Sequence, residues 1–222
     1  MALVKECARK ATQHTVYKDK NGNRLPGVTT VLSVINKPFL IPWANKMGLD
    51  NVVYSKYMDN IANLGTLVHY LCECYLKGIE PDLRDYSISE VEFSKPSYNR
   101  FLNWMSGLSD FELIGSEVQV ISEKYGYGGS CDLICKINGR LTLIDIKTSD
   151  SCYPEHKTQV VAYKQAYEEQ TGNYIDDLKI LRLGRGEGGS DIYDVGNEEL
   201  HLKRFLVCLE LYKLNKELKA DV

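Results

Sequence analysis

"GGSCDLICKINGRLTLIDIKTSD", residues 128–150, holds two aspartates, a lysine two residues beyond the second, and an Asn-Gly between two apolar runs. Asn-Gly between strand-like segments marks a two-residue hairpin turn, because both positions must take positive φ. Counting back from that turn, Ile137 faces Arg140 and Asp132 comes to lie opposite Asp145. Side chains alternate faces along a strand, so Asp132, Asp145 and Lys147 project to one side, with Ser130 opposite Lys147. Like charges held with Cβ atoms about 4.5–5.5 Å apart destabilise a sheet, and a hard divalent cation would offset that repulsion. Mg²⁺ or Mn²⁺ favours carboxylate oxygens and polarises water, while a neighbouring ammonium stabilises phosphate charge, a combination suited to phosphodiester hydrolysis.

The competing reading is an exposed hairpin with surface charges, since a bare D-x-K is a weak pattern. Against it, Leu141, Leu143, Ile144 and Ile146 make "LTLIDI" apolar on both faces, which marks a central strand where an unpartnered charge is rare.

Working outward, "FELIGSEVQVIS" before the hairpin reads as a strand, and Pro154 opens a helix that runs through "EHKTQVVAYKQAYEEQ" to Gly172. "DLKILRLGRG" and "DIYDVG" read as two more strands. Asn197 is placed to cap a C-terminal helix whose core face is Leu202, Phe205, Leu206, Leu209 and Tyr212. Three strands, a helix, two strands and a helix predict an α/β fold, a central mixed β-sheet flanked by helices, with the 154–172 helix crossing over.

The first half is mainly helical. "TVYKDKNGNRLPGVTTVLSVI" reads as a short hairpin leading to a helix capped by Thr29 or Thr30, and the segment after Pro42 looks helical almost to Gly78. Ile61, Leu64, Val68, Leu71 and Tyr75 recur at helical spacing as the expected buried stripe, with His69 at its margin. "PSYNRFLNWMSGL" reads as a further amphipathic helix.

With 44% hydrophobic and 26% charged residues, the 222-residue chain has the composition of a globular protein able to bury one core, and disorder is excluded. A net charge of −3 argues against a generic basic nucleic-acid coat but leaves a local basic surface open. No apolar run approaches the roughly 20 residues that cross a bilayer, and "MALVKECARKATQH" lacks the apolar core of a secretory signal, so the expectation is a cytoplasmic protein with no membrane partner. The seven cysteines have no zinc-finger spacing. Cys72 and Cys74 on one helix diverge by about 200°. Cys131 and Cys135 share a strand face yet lie about 13 Å apart. Free thiols are expected.

The order Asp132, then Asp145-Ile146-Lys147, then Gln159-Val160-Val161-Ala162-Tyr163 resembles the PD-(D/E)XK nuclease superfamily. Gly65-Thr66-Leu67-Val68-His69 on an upstream helix is similar to the motif of its RecB-like exonuclease branch. The resemblance covers about residues 60–165, and its ordered set is more specific than any single motif. It implies a restriction-endonuclease-like core forming a single nuclease domain over 1–222, with 1–110 mainly helical and 111–222 carrying the core sheet, crossover helix and C-terminal helix. It further implies His69, Asp132, Asp145 and the Ile146 carbonyl as ligands of Mg²⁺ or Mn²⁺, and Lys147 as the catalytic lysine. Gln159 and Tyr163, four apart on one helical face, would support the site and contact nucleic acid. Glu117 in "SEVQV" matches an acidic residue found ahead of the metal hairpin, with its register open.

"LPGVTTVLSVINKPFLIPWANKMG", residues 25–48, is similar to the leader of phage-type RecB-family nucleases and of the mitochondrial genome-maintenance exonuclease. There Trp43, Lys37 and Lys46 offer a stacking surface and phosphate contacts, unless Trp43 is simply a core aromatic. Relatives with an iron–sulfur cluster place three cysteines close together near the C-terminus; here only Cys208 lies beyond Cys152, so no cluster is expected.

The implied activity is a metal-dependent DNA nuclease, an exonuclease of phage or bacterial recombination and repair. Its partners would be single-stranded or duplex DNA ends and phage recombination proteins, in the cytoplasm of a bacterial host if phage-encoded. The alternatives are a structure-specific or restriction-type endonuclease and a non-catalytic nucleic-acid-binding module. His14, His156 and His201 are read as surface or local residues.

Overall fold

The computed structural model describes residues 15–186 and 189–220; Cys7 and His14 lie outside them. The central sheet has five strands in the order β3-β4-β5-β6-β7: Phe111–Ser122, Tyr127–Ile137, Arg140–Lys147, Asp177–Leu183 and Ser190–Asp194. The β5–β6 pairing is parallel and the others are antiparallel, so the sheet is mixed. Helix α5, Pro154–Thr171, makes the crossover that a parallel pairing demands, starting on Pro154 and ending on left-handed Gly172. The C-terminal helix α6, Glu198–Ala220, packs on α5 through Phe205 and Leu209. Asn197, just before it, has φ 53°, outside the extended backbone usual for a helix cap.

Two apolar layers sandwich the sheet. On one side Val120, Cys131, Ile134 and Leu143 pack against α5 and α6 through residues such as Val160, Ala166 and Phe205. On the other, Leu133, Cys135, Ile144 and Ile146 pack beneath Val68 and Cys72 of α3 (Tyr54–Lys77) and Phe101 of α4 (Ile88–Ser106).

The helical half departs from the sequence expectation in four places. The small β1–β2 hairpin, Tyr17–Lys18 with Arg24–Leu25, leads into α1, Val28–Leu32. That helix starts at extended Gly27 without a side-chain cap, which puts Thr29 and Thr30 inside it. The long helical run is broken into α2, Leu40–Leu49, and α3 by a turn where Asn51 takes φ 58°. In α3 the buried residues are Leu67, Val68, Tyr70, Leu71, Cys72 and Cys74; Ile61 and Leu64 face a groove, and Tyr75 is exposed. The stripe turned because α4 packs on this helix as well as the sheet, and burial follows both neighbours. Finally, α4 begins before Pro96 at a Ser87–Glu90 capping box, and the proline sits inside the helix.

Candidate metal centre

The hairpin follows the expected register up to the point where its chemistry begins. Asn138 and Gly139 have φ 51° and 75°, the paired positive values of a type I′ turn, and pairs run from Ile137↔Arg140 to Leu133↔Ile144. There the ladder stops, one step before Asp132 and Asp145. The Asp132 carboxylate instead accepts a hydrogen bond from the Ile146 N–H, 2.6 Å from its Oδ2. Strand alternation also breaks at this residue: Cys131 belongs to the layer under α5, whereas Leu133 belongs to the layer under α3 and α4. Cys131 and Cys135 therefore lie on opposite faces, correcting the simple period-two expectation. Across the strand pair, Glu117 takes φ 51°, a left-handed conformation rare for a non-glycine residue and costly enough to need support from its surroundings.

These irregularities bring together groups from three elements. His69 on α3, Glu117 on β3 and Asp132 on β4 each offer a ligand atom, all within 4.8 Å of one another. His69 Nδ1 lies 3.4 Å from Asp132 Oδ1, and Ser130 donates to Glu117 Oε2 at 3.1 Å. Asp145 is 1% exposed, and Lys147 Nζ lies 2.8 Å from its Oδ2. Apart from that ammonium, no donor among the described residues reaches this buried oxygen.

The electrostatics record the crowding. Burial raises Asp145 to about 6, with Asp132's charge adding to it and Lys147 opposing. Burial likewise raises Glu117 to about 7, reinforced by Asp132. Burial opposes a charged His69, yet the Asp132 carboxylate prevails and raises the imidazole to about 9. Asp132 itself resists burial and is lowered by facing His69 and Lys147. Lys147 is raised because Asp145 and Asp132 outweigh its desolvation. An imidazole and the carboxylates of Glu117, Asp132 and Asp145, two of them held above their ordinary range, form a donor set that fits a hard divalent cation.

The remaining expected site residues are placed as follows. Gln159 Nε2 donates to the Tyr163 hydroxyl at 2.7 Å, and Tyr163 packs its ring on Gly129 of β4, where a Cβ would come within 2.4 Å of it. Ile146 contributes its N–H to Asp132 while its side chain is buried in the sheet. Lys37 and His156 line a groove of 820 Å³ that also reaches Lys147 and Gln159. His156 accepts from the Tyr153 N–H, and burial together with Lys147 lowers it to about 4. His201 bonds Thr158. Trp43 is half-exposed and packs edge-on against Tyr54 and Tyr57, away from the sheet core. Of the cysteines, Cys72, Cys74, Cys131, Cys135 and Cys208 are buried and Cys152 partly so. Among the described residues no helix is long and apolar enough to cross a membrane.

The sequence matches no protein-family model and no curated protein. Among solved structures it is similar to a candidate exonuclease from Eubacterium rectale, 14% identical, over 67% of this chain and 64% of that one, at a TM-score of 0.48. The match thus spans just under two thirds of that protein. An alkaline exonuclease from Laribacter hongkongensis is 15% identical over 88% of this chain and 93% of its own, at a TM-score of 0.35. Similarities this distant assign no activity to the chain.

Proposed function

We propose that the protein is a Mg²⁺- or Mn²⁺-dependent DNA nuclease that hydrolyses phosphodiester bonds, acting as an exonuclease. The observation that carries this reading is the convergence of His69, Glu117 and Asp132 within 4.8 Å beside the buried Asp145–Lys147 pair. The ordered resemblance to the RecB-like branch agrees with it.

In this reading His69, Glu117, Asp132 and Asp145 hold the cation, with the Ile146 carbonyl as a further ligand. The cation supplies Lewis acidity toward a phosphate oxygen and toward water. Lys147, anchored by Asp145, presents positive charge where the attacked phosphate gains negative charge. The Ile146 N–H fixes the Asp132 carboxylate, and that hydrogen bond keeps the ligand oriented between turnovers. Gln159 and Tyr163, bonded to each other, form the wall against which a phosphate is positioned.

End-labelled linear DNA and circular DNA, single-stranded and duplex, incubated with Mg²⁺, Mn²⁺ or chelator test the proposal. The expected outcome is stepwise loss of labelled ends with either metal, intact circles and no reaction in chelator. Cut circles would replace the exonuclease reading by an endonuclease one; intact DNA under every condition would defeat hydrolysis altogether.

A further inference from the structure

Helix α6 is apolar on two opposite sides. Phe205 and Leu209, with Leu202 partly buried beside them, face α5 and belong to the core. Leu200, Val207, Leu211, Leu214 and Leu218 are exposed, Val207 by 62% and Leu218 by 64%. At about 100° per residue these five fall within an arc of about 60°, on the side of the helix turned away from α5. Their spacing of seven, four, three and four residues is the a/d repeat through which helices pair, and it runs about 27 Å along the axis. Single exposed leucines are ordinary on a protein surface, whereas a continuous stripe marks a face that another surface covers. A surface helix needs one apolar side for its own core; the second, opposite one asks for a second neighbour.

The charges beside the stripe select both the neighbour and its direction. Lys203, Glu210 and Glu217 line one flank at intervals of seven residues, and among the described residues none of the three forms an ion pair. A second copy laid antiparallel on the stripe, with the twofold axis near residue 209, sets Leu200 on the partner's Leu218 and Val207 on the partner's Leu211. The same operation brings Lys203 to the partner's Glu217, and does so twice. Glu210 meets its like close to the axis, at an exposed position where water screens the repulsion. A parallel pair would instead set Arg204 beside the partner's Arg204 and leave Lys203 opposite the partner's Cys208, which is buried in the core. The face is thus complementary to itself in one orientation, which is the requirement of a twofold interface.

We infer that the exposed face of α6 pairs with the same face of a second copy of this chain, antiparallel, to form a twofold dimer in solution. Two observations select this occupant: the apolar stripe repeats at the spacing of a paired helix, and the flanking charges match only when the second helix is the same sequence running the other way. No residue placed at the candidate metal centre lies on α6, so the inference is independent of the nuclease reading.

Sedimentation equilibrium of the full chain across the micromolar range tests the inference. Wild type is expected to show a monomer–dimer equilibrium. Leu211→Lys, at an exposed position, is expected to fold as wild type by circular dichroism and to lose at least about a hundredfold in dimer affinity, because two leucines leave the interface. Lys203→Glu and Glu217→Lys are each expected to weaken the dimer about fivefold, and the double variant to restore it, since the exchanged charges again face each other in the antiparallel register. Ile88→Lys, at an exposed apolar residue of α4, serves as the control and is expected to dimerise as wild type. A monomer at every concentration, a Leu211→Lys variant that dimerises normally, or an assembly larger than a dimer would overturn the inference. A double variant weaker than either single one would overturn the antiparallel pairing.

Discussion

The two ends of the β4–β5 hairpin are built from the same strands and obey different rules. At the turn end, Asn138-Gly139 adopts a standard conformation, the pairs are in register, and the charge on Arg140 is exposed and matched by Asp177 at 2.7 Å. At the open end the ladder stops, strand alternation breaks at Asp132, Glu117 opposite takes a left-handed backbone, and a buried carboxylate, Asp145, lies near the partly exposed Asp132. The first end satisfies its local preferences and contributes stability; the second gives up local stability to hold charged groups close together, as the proposed metal centre would require.

The comparison is broken most severely by removing charge at the open end. Asp145→Asn and Asp132→Asn are each expected to lower kcat for DNA hydrolysis by at least about 10³-fold, with circular dichroism unchanged. Stability should move the other way: Asp145→Asn mimics the protonated form that burial favours, and its thermal unfolding in chelator at pH 7.5 should be harder by on the order of 2 kcal/mol.

The same asymmetry predicts a pH dependence. The carboxyls of Asp145 and Glu117 are raised to about 6 and 7, so their neutral forms support folding and that support fades as pH rises through these values. His69 is raised to about 9, so its support is complete below its ordinary 6.5 and fades between there and 9. All three shifts have one sign. His156, lowered to about 4, works the other way up to its ordinary 6.5, so in chelator the Tm is expected to fall from about pH 6.5 to pH 9, and Mn²⁺ should raise it most at the alkaline end; a flat profile over that range would contradict the clustering of these groups.

At the turn end the effects are smaller and confined to stability. Gly139→Ala places a side chain at φ 75° and should cost about 1–2 kcal/mol in urea unfolding, with activity per folded molecule unchanged. Arg140→Ala, which removes an exposed, solvent-screened ion pair, should barely move the urea-unfolding midpoint and leave activity alone.

Sequence reasoning reads the turn end almost completely and the open end in outline. Asn138-Gly139, the apolar "LTLIDI", Pro154 and Gly172 act through local conformational preference, and they predict the register, the central strand and the crossover that the fold shows. That Asp132 and Asp145 lie near one another is also legible by counting, although the ladder ends one pair before them and the direct pairing that the count predicts is not formed. How they meet is not. The break at Asp132 and the positive φ of Glu117 are irregularities of the β3–β4 pair that no local sequence signal announces. Glu117's place within 4.8 Å of His69 and Asp132 needed that irregular geometry to be seen. In the helical half the element ends differ from the sequence expectation for a related reason. The apolar spacing of "PSYNRFLNWMSGL" shows a helix but not its start, which lies at the Ser87–Glu90 capping box.

The route of the chain through α5 also imposes an order in time. Strands β3, β4 and β5 are neighbours along the sequence and can pair as soon as their turns close, whereas the parallel partner Ile180 reaches Asp145 only after α5 has folded back. Glu117, Asp132 and Asp145 therefore meet in a half-built sheet. The expected consequence is that this acidic cluster slows completion of the native sheet, so refolding followed by stopped-flow fluorescence should be faster with Mn²⁺ present than in chelator.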